Sequence, residues 1–294
     1  MKDKKRVIII DGQNWAHRAF HAHGNLQFNG RKMGMVFGFV NMLQTLFTKY
    51  PTPSKVYVCF DHARSKHRLK LLPTYKQREP KLGFDREAFD DQMKGLRSIL
   101  LALGIPILYN KHTEADDFIA ELTYKYQDKY KVVIASGDKD FRQLVTNNVT
   151  ISDDKYGRIT PKNFEKHFSI QPSQYLDYLV LVGDNSDKIP GVTGIGEKTA
   201  IKILNQYGNI ENWIESTPDT IKTRQAAHIL ELNRTLIGLA EYRRKFGPTE
   251  LVFYKDRPKP KFNEEKYIKL CKVWGLVKFR RDEFIKSFRH NSGK

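Results

Sequence analysis

Apolar residues along this 294-residue chain fall into two alternating patterns. Short solid runs mark Arg6-Val-Ile-Ile-Ile-Asp11, Val56-Tyr-Val-Cys-Phe-Asp61, Ile105-Pro-Ile-Leu108 and Lys131-Val-Val-Ile-Ala-Ser136. Such runs, bounded by polar turns, read as strands buried on both faces. Between them the period changes. Val36, Phe37, Val40, Leu43, Leu46 and Phe47 predict an amphipathic helix over 33–49. Phe89, Met93, Leu96, Leu100 and Leu103 predict another, with Asp85 as its cap and Gly104 as its stop. A third is expected over 114–130, with acids in its first turn. Strands alternating with helices predict an α/β fold on a mostly parallel sheet.

After about residue 170 the pattern changes. Residues 176–182 read as helical, 183–196 are rich in glycine and aspartate, and short helical segments fill 197–246. A Pro/Lys-rich joint, Arg257-Pro-Lys-Pro-Lys261, precedes a final basic helical region. No domain-sized repeat occurs.

Composition narrows the function classes. No apolar run has the ~18–20 residues a membrane span needs, and Val7–Ile10 is too short for a secretory signal. Two cysteines, Cys59 and Cys271, make neither a zinc cage nor a disulfide framework, which fits a reducing, cytoplasmic setting. Lys plus Arg number 51 against 33 Asp plus Glu, a net charge of +18. That excess points to a polyanionic partner, nucleic acid first, although a purely solubilising surface gives the same total.

Nine carboxylates stand out: Asp11, Asp61, Glu114, Asp116, Asp117, Asp138, Asp140, Asp184 and Asp187. Singly, each reads as a turn residue or helix cap. Asp11, Asp61 and the Asp138/Asp140 pair, however, follow strands, and α/β sheets gather ligands beyond their strands' carboxyl ends. Like charges crowded there repel unless a cation neutralises them. Mg²⁺ or Mn²⁺ suits oxygen ligands. Two ions ~3.5–4 Å apart would use so many acids and would suit phosphodiester hydrolysis. No EF-hand spacing supports calcium.

Gly191-Val-Thr-Gly194-Ile-Gly196-Glu-Lys198-Thr199 is not a P-loop, because Glu197 separates the last glycine from the lysine and no strand precedes it. A hairpin between two helices fits better, its amides placed for a nucleic-acid backbone. An ordinary tight turn is the alternative. Between residues 64 and 81 lie seven Lys/Arg and one acid, Glu79, with Tyr75 among them. This mixture suits single-stranded nucleic acid, and equally a solvated loop.

Six segments then resemble the 5′-nuclease family, which includes the 5′–3′ exonuclease domain of bacterial DNA polymerase I and the free-standing phage and bacterial flap endonucleases. They are Val7-Ile-Ile-Ile-Asp11-Gly with Arg18-Ala-Phe-His-Ala, Phe60-Asp61, Leu71-Leu-Pro-Thr-Tyr-Lys76, Glu114-Ala-Asp-Asp117, Ser136-Gly-Asp138-Lys-Asp140 and Val182-Gly-Asp184 through Ala200. The resemblance implies a PIN-like catalytic domain over 1–170 with a helical arch near 64–88. It also implies a helix-hairpin-helix lobe and basic C-terminal region over 171–294. By motif position, Asp11, Asp61, Glu114 and Asp116 resemble a first metal site. Asp138, Asp140 and Asp187 resemble a second, with Asp117 nearby and Asp184 acting through water.

Lys76 and Arg68 resemble arch residues facing the scissile phosphate, and Arg18 one near the substrate's 5′ region. Tyr75 and Lys76 would meet DNA at the arch. Gly191, Gly194, Gly196, Lys198 and Thr199 resemble a duplex clamp that can carry K⁺. The implied activity is structure-specific 5′ nuclease action on DNA flaps, nicks and RNA primers in replication and repair. A monomer working with a DNA polymerase in trans, in a bacterial or phage-infected cell, is the expected setting. A PIN-type endoribonuclease and a silent DNA-structure-binding protein are the alternatives. The family often has two residues between Tyr-Lys and the next Arg; here one, Gln77, separates Lys76 from Arg78.

Overall fold

A computed structural model of the chain describes residues 5–77, 83–280 and 282–289. The first apolar run forms β1 (Arg6–Asp11), followed by α1 (Gly12–Ala22), a small hairpin of β2 (Gln27–Phe28) and β3 (Arg31–Lys32), and α2 (Gly34–Lys49). Next come β4 (Lys55–Cys59), α3 (Lys66–Leu71), α4 (Arg86–Ala102), β5 (Ile107–Leu108), α5 (Ala115–Tyr126) and β6 (Lys131–Ala135). The sheet is finished by β7 (Val149–Asp153) and β8 (Gly157–Ile159), and α6 (Pro161–Phe168) follows.

Among the described residues the main sheet runs β5-β4-β1-β6-β7-β8. All its neighbours pair in parallel except β8, which returns antiparallel to β7. The expected mostly parallel sheet is therefore present. Strand alternation sorts β1 between two cores. Val7 and Ile9 pack with Phe118, Ile119 and Leu122 of α5. Ile8 and Ile10 pack with Phe39, Val40 and Leu43 of α2 and Leu96 and Leu100 of α4. Both faces are covered, which is why the run has no polar residue.

The helix expected over 33–49 forms over Gly34–Lys49, and the next begins after Asp85, whose carboxylate accepts from the Ala88 amide at 3.0 Å. Helix α1 carries no long apolar stripe; Trp15, Ala16 and Ala19 are the apolar residues it buries. The expected arch region contains α3, capped by Ser65, and a turn at 73–76. Residues 78–82, Arg78 among them, lie outside the described residues.

The later chain folds as α7 (Tyr175–Val182), a two-residue ladder of β9 (Gly183–Asp184) with β10 (Ile189–Pro190), then α8 (Glu197–Tyr207), α9 (Ile210–Ser216), α10 (Ile221–Ile237) and α11 (Leu239–Phe246). Leu179, Ala226, Leu236 and Leu239 continue the core begun by Val7 and Ile9, so this lobe sits on the α5 side. Beyond it, α12 (Glu264–Val273) and α13 (Asp282–Arg289) cross back to the other core, where Tyr267, Cys271, Trp274 and Phe288 join α2 and α4. The chain beyond about 250 thus packs with α2 and α4, on the face of the sheet opposite the one that carries α7 to α11.

Trp274 fastens that return. It is 2 % exposed, and a Cβ on Gly95 would lie 2.0 Å from its ring. The Arg31 guanidinium sits 3.7 Å from the ring centroid. Trp274→Ala should cost about 3–5 kcal/mol in chemical denaturation. A loss under about 1 kcal/mol would show that the C-terminal helices add little to the fold.

Candidate active site

Three neighbouring strands end side by side: β4 in Asp61, β1 in Asp11, and β6 in Ser136-Gly-Asp138. The chain order reverses at β1, which makes this edge the switch point where α/β sheets open a crevice. Asp11 caps α1, accepting from the Asn14 amide at 3.0 Å and from the Ser136 hydroxyl at 2.7 Å. Asp61 accepts from the Ala115 amide at 2.6 Å, which ties β4 to the start of α5 and aims Asp116 inward. Asp138 accepts from the Asp140 amide at 2.9 Å and opens a short 3₁₀ helix over Lys139–Leu144. The β9–β10 loop adds Asp184 and Asp187. Asp184 accepts from the Ser186 amide and hydroxyl, both at 2.7 Å, and from Lys139 Nζ at 3.0 Å. Seven of the nine predicted carboxylates, Asp11, Asp61, Asp116, Asp138, Asp140, Asp184 and Asp187, line one cleft of about 1260 Å³.

Crowding shows in their proton affinities. Burial first, and the charges of Asp138 and Asp61 after it, push Asp11 up to about 7. Burial, then Asp138 and Asp184, push Asp140 to about 8. Asp116 is driven well above the carboxylate range by burial, and by Asp138, Asp61 and Asp11, against the opposing pull of Lys76. Burial also raises Asp61. Asp140 Oδ1 is buried with no hydrogen-bond partner. Among the described residues, oxygens of Asp140, Asp184 and Asp187 lie within 4.8 Å of one another. An orphaned carboxylate oxygen beside two further acids fits a hard divalent cation.

Glu114 and Asp117 do not reach the cleft. Glu114 Oε1 accepts from the Ser65 amide at 2.8 Å, and Oε2 accepts from Tyr75 OH at 3.0 Å, Lys76 Nζ at 2.9 Å and Arg68 at 3.5 Å. Burial alone would raise this acid, but the Lys76 and Arg68 cations outweigh it and hold it at about 2. Asp117 receives both arms of the Arg68 fork, at 2.9 and 2.7 Å. Arg68, expected to face the scissile phosphate, is 2 % exposed and also donates to the Leu236 carbonyl at 3.0 Å. Its charge is paired with Asp117, and it does not line the cleft. Tyr75, expected to stack on DNA, is 3 % exposed with its ring in the core.

Lys76 does face the cleft. Its ammonium lies 3.6 Å from Asp116 and 3.9 Å from Asp187. It therefore stands between the acids delivered by the sheet and those of the β9–β10 loop. Arg18 lines the cleft wall and pairs with Asp154.

The glycine segment follows the ladder directly. A Cβ on Gly191 would lie 2.3 Å from the Val182 carbonyl oxygen, so the chain can pass only as glycine. Gly194 has φ +73°, and Gly196 precedes the first turn of α8, where Lys198 and Thr199 are exposed. Gln225 of α10 clamps the loop, accepting from the Thr193 amide at 2.9 Å and donating to its hydroxyl at 3.1 Å. Ser136, Lys139 and Gln225 were missed in the sequence. Ser136 and Lys139 flank predicted acids, whereas nothing local marks Gln225.

A family model described as the 5′-3′ exonuclease N-terminal resolvase-like domain matches residues 6–169, and one for its C-terminal SAM fold matches 170–242. A 5′-3′ exonuclease of Buchnera aphidicola is 36 % identical, over 70 % of this chain and 72 % of its own. DNA polymerase I of Bacillus caldotenax is 33 % identical, over 94 % of this chain and 32 % of its own. The bacteriophage T5 flap endonuclease, solved with DNA and metal ions, superposes with a TM-score of 0.69 at 22 % identity, over 99 % of this chain and all of its own.

The raised acids set a pH dependence. An acid that holds its proton more tightly when folded contributes stability that is present at low pH. That contribution is lost as pH rises from the ordinary 3.8 through about 7 for Asp11 and about 8 for Asp140. Glu114, held near 2, titrates below this window. In chelator, the thermal midpoint should fall from about pH 5 to about pH 8. Asp140→Asn should flatten the fall, and an equal slope in the variant would refute the assignment.

Proposed function

The chain belongs to the 5′-3′ exonuclease family of metal-dependent nucleases, and on that premise we propose that it is a structure-specific 5′ nuclease. Its substrates are DNA flaps, nicks and RNA primers, cut by hydrolysis of a phosphodiester near the single-strand/double-strand junction. The observation that carries this reading is the convergence of seven carboxylates in one cleft of a chain with a net charge of +18.

Asp11, Asp61, Asp116 and Asp138 would hold one Mg²⁺ or Mn²⁺ ion, and Asp140, Asp184 and Asp187 a second. Such ions supply an activated water and offset the charge that develops on the leaving oxygen. The protein's own contribution is positioning. Glu114 holds the Lys76 ammonium at 2.9 Å, aimed between the two acid groups, where it can donate to a phosphoryl oxygen. The pocket wall offers Arg18 to a neighbouring phosphate. Glu114, Asp117, Arg68 and Tyr75 act one layer behind, keeping Lys76 and the start of α5 in place. Burial of the two acids and the arginine supports that role.

Duplex would lie along Gly191, Gly194 and Gly196, with Lys198 and Thr199 on the backbone phosphates and a K⁺ ion at the loop. Exposure of Gly194, Gly196, Lys198 and Thr199 supports this reading. The single β9–β10 ladder connects loop and cleft, so duplex grip and cutting position share one rigid element. The proposed units are a catalytic domain over 1–170 and a DNA-binding region over 171–294. A monomer working in the cytoplasm, on strands left by a DNA polymerase in trans, completes the reading.

An end-labelled 5′-flap duplex tests it. With Mg²⁺ the protein should release the flap, and with chelator it should only bind. Asp138→Asn together with Asp140→Asn should lower cleavage by at least about 10²-fold while retaining metal-free binding. Intact cleavage by that double variant would overturn the site, and faster turnover of unstructured RNA would overturn the substrate. Separately, Lys76→Met should lower kcat by about 10- to 10²-fold with KM little changed. A change confined to KM would assign Lys76 to binding alone.

A further inference from the structure

Cations also gather at the opposite, amino-terminal edge of the sheet. Arg6 opens β1 and Lys131 opens β6, and the two are register partners. Partners on adjacent strands share a face, so two like charges stand side by side, which is unfavourable without a counter-charge. The same face carries Thr150, the partner of Val133, and Arg158, the partner of Ser152. Together Arg6, Lys131, Thr150, Arg158 and Asn148 border a pocket of about 250 Å³. No acid lines it, and among the described residues none of the three cations has a carboxylate partner.

Two further observations mark the pocket as built for a ligand. Thr150 is 8 % exposed, and its hydroxyl is buried with no hydrogen-bond partner. A buried hydroxyl is costly to leave unpaired, and this one belongs to a residue that lines the pocket. Lys131 is held in place, donating at 2.9 Å to both the Asn147 carbonyl and Asn148 Oδ1. Its ammonium has a third proton to offer.

We infer that this pocket binds a phosphoryl anion, separately from the acidic cleft. Five-residue strands at ~3.3 Å per residue put the two edges roughly 15 Å apart. Three cations and a hydroxyl donor match a phosphate's charge and its several acceptor oxygens. The phosphate is either free, as in a 5′-mononucleotide, or part of a duplex backbone passing this edge. Both present the same group to the pocket.

The test uses the full chain in chelator, so it does not depend on cleavage. Titration with inorganic phosphate and with a 5′-mononucleotide gives one arm, and anisotropy with a labelled blunt duplex gives the other. Arg158→Ala and Lys131→Ala should each weaken binding at least about 10-fold in one arm. Thr150→Val, which keeps shape and removes the hydroxyl, should weaken it several-fold in the same arm. Lys125→Ala, which removes an exposed charge from α5, should have little effect in either arm. Loss in the small-anion arm identifies a free phosphate site. Loss in the duplex arm alone, with the salt slope falling by about 1, identifies a backbone contact. If thermal midpoints are unchanged and Arg158→Ala and Lys131→Ala match wild type in both arms, or Lys125→Ala weakens binding equally, the site does not exist.

Discussion

Mutual repulsion among buried carboxylates is the constraint around which this molecule is organised. Two unit charges 4 Å apart cost about 4 kcal/mol at an effective dielectric of 20, and this cleft faces seven acids toward one another. The fold relieves the strain in three ways. Asp11 and Asp140 keep protons to about 7 and about 8. Lys76 and Lys139 place ammonium groups against Asp116, Asp184 and Asp187. Backbone amides and the Ser136 and Ser186 hydroxyls donate to Asp11, Asp61, Asp138 and Asp184. A divalent cation would replace the protons, so affinity for metal and the cost of folding without it are the same property.

Behind the cleft, a second set of charges is fully paired and holds the parts in register. Arg68 of α3 grips Asp117 of α5 and the Leu236 carbonyl of α10, and lies 4.0 Å from the ring centroid of Tyr242 on α11. The Tyr242 hydroxyl meets Ser65 Oγ at 2.9 Å, while the Ser65 amide donates to Glu114. The helical lobe is therefore wired to the base of the expected arch and to the residue that holds Lys76. Such a buried ion pair is weak evidence for net stability, because desolvation opposes it, but losing one partner would strand the other. Its value is geometric: it fixes α3, α5 and α10 relative to one another.

Charge is also partitioned over the sheet. Acids collect at the carboxyl ends of the strands, and cations that have no carboxylate partner among the described residues collect at the amino ends. The net charge of +18 includes the acids drawn into the cleft, so the remaining surface is more basic than the total implies.

The sequence by itself determined the parallel α/β sheet and the helices at 34–49 and 86–102, and it singled out the seven acids that line the cleft. Solid apolar runs and helical periods are local signals, and an acid directly after a strand has little choice of edge. It also suggested the glycine loop, since Gly191 and Gly194 sit where close approach and positive φ exclude side chains. What the tertiary structure alone decided is which charged residues face solvent. Arg68 and Tyr75 lie in a basic stretch that reads as exposed, yet partners 39 to 168 residues away bury them. Glu114 and Asp117 share a motif with Asp116, but a step of one or two residues around the start of α5 separates an acid aimed at the cleft from acids aimed at Arg68. Sequence spacing gives a side chain's angle around its helix. Whether that angle meets water, a buried arginine or a metal depends on what the rest of the chain packs against it.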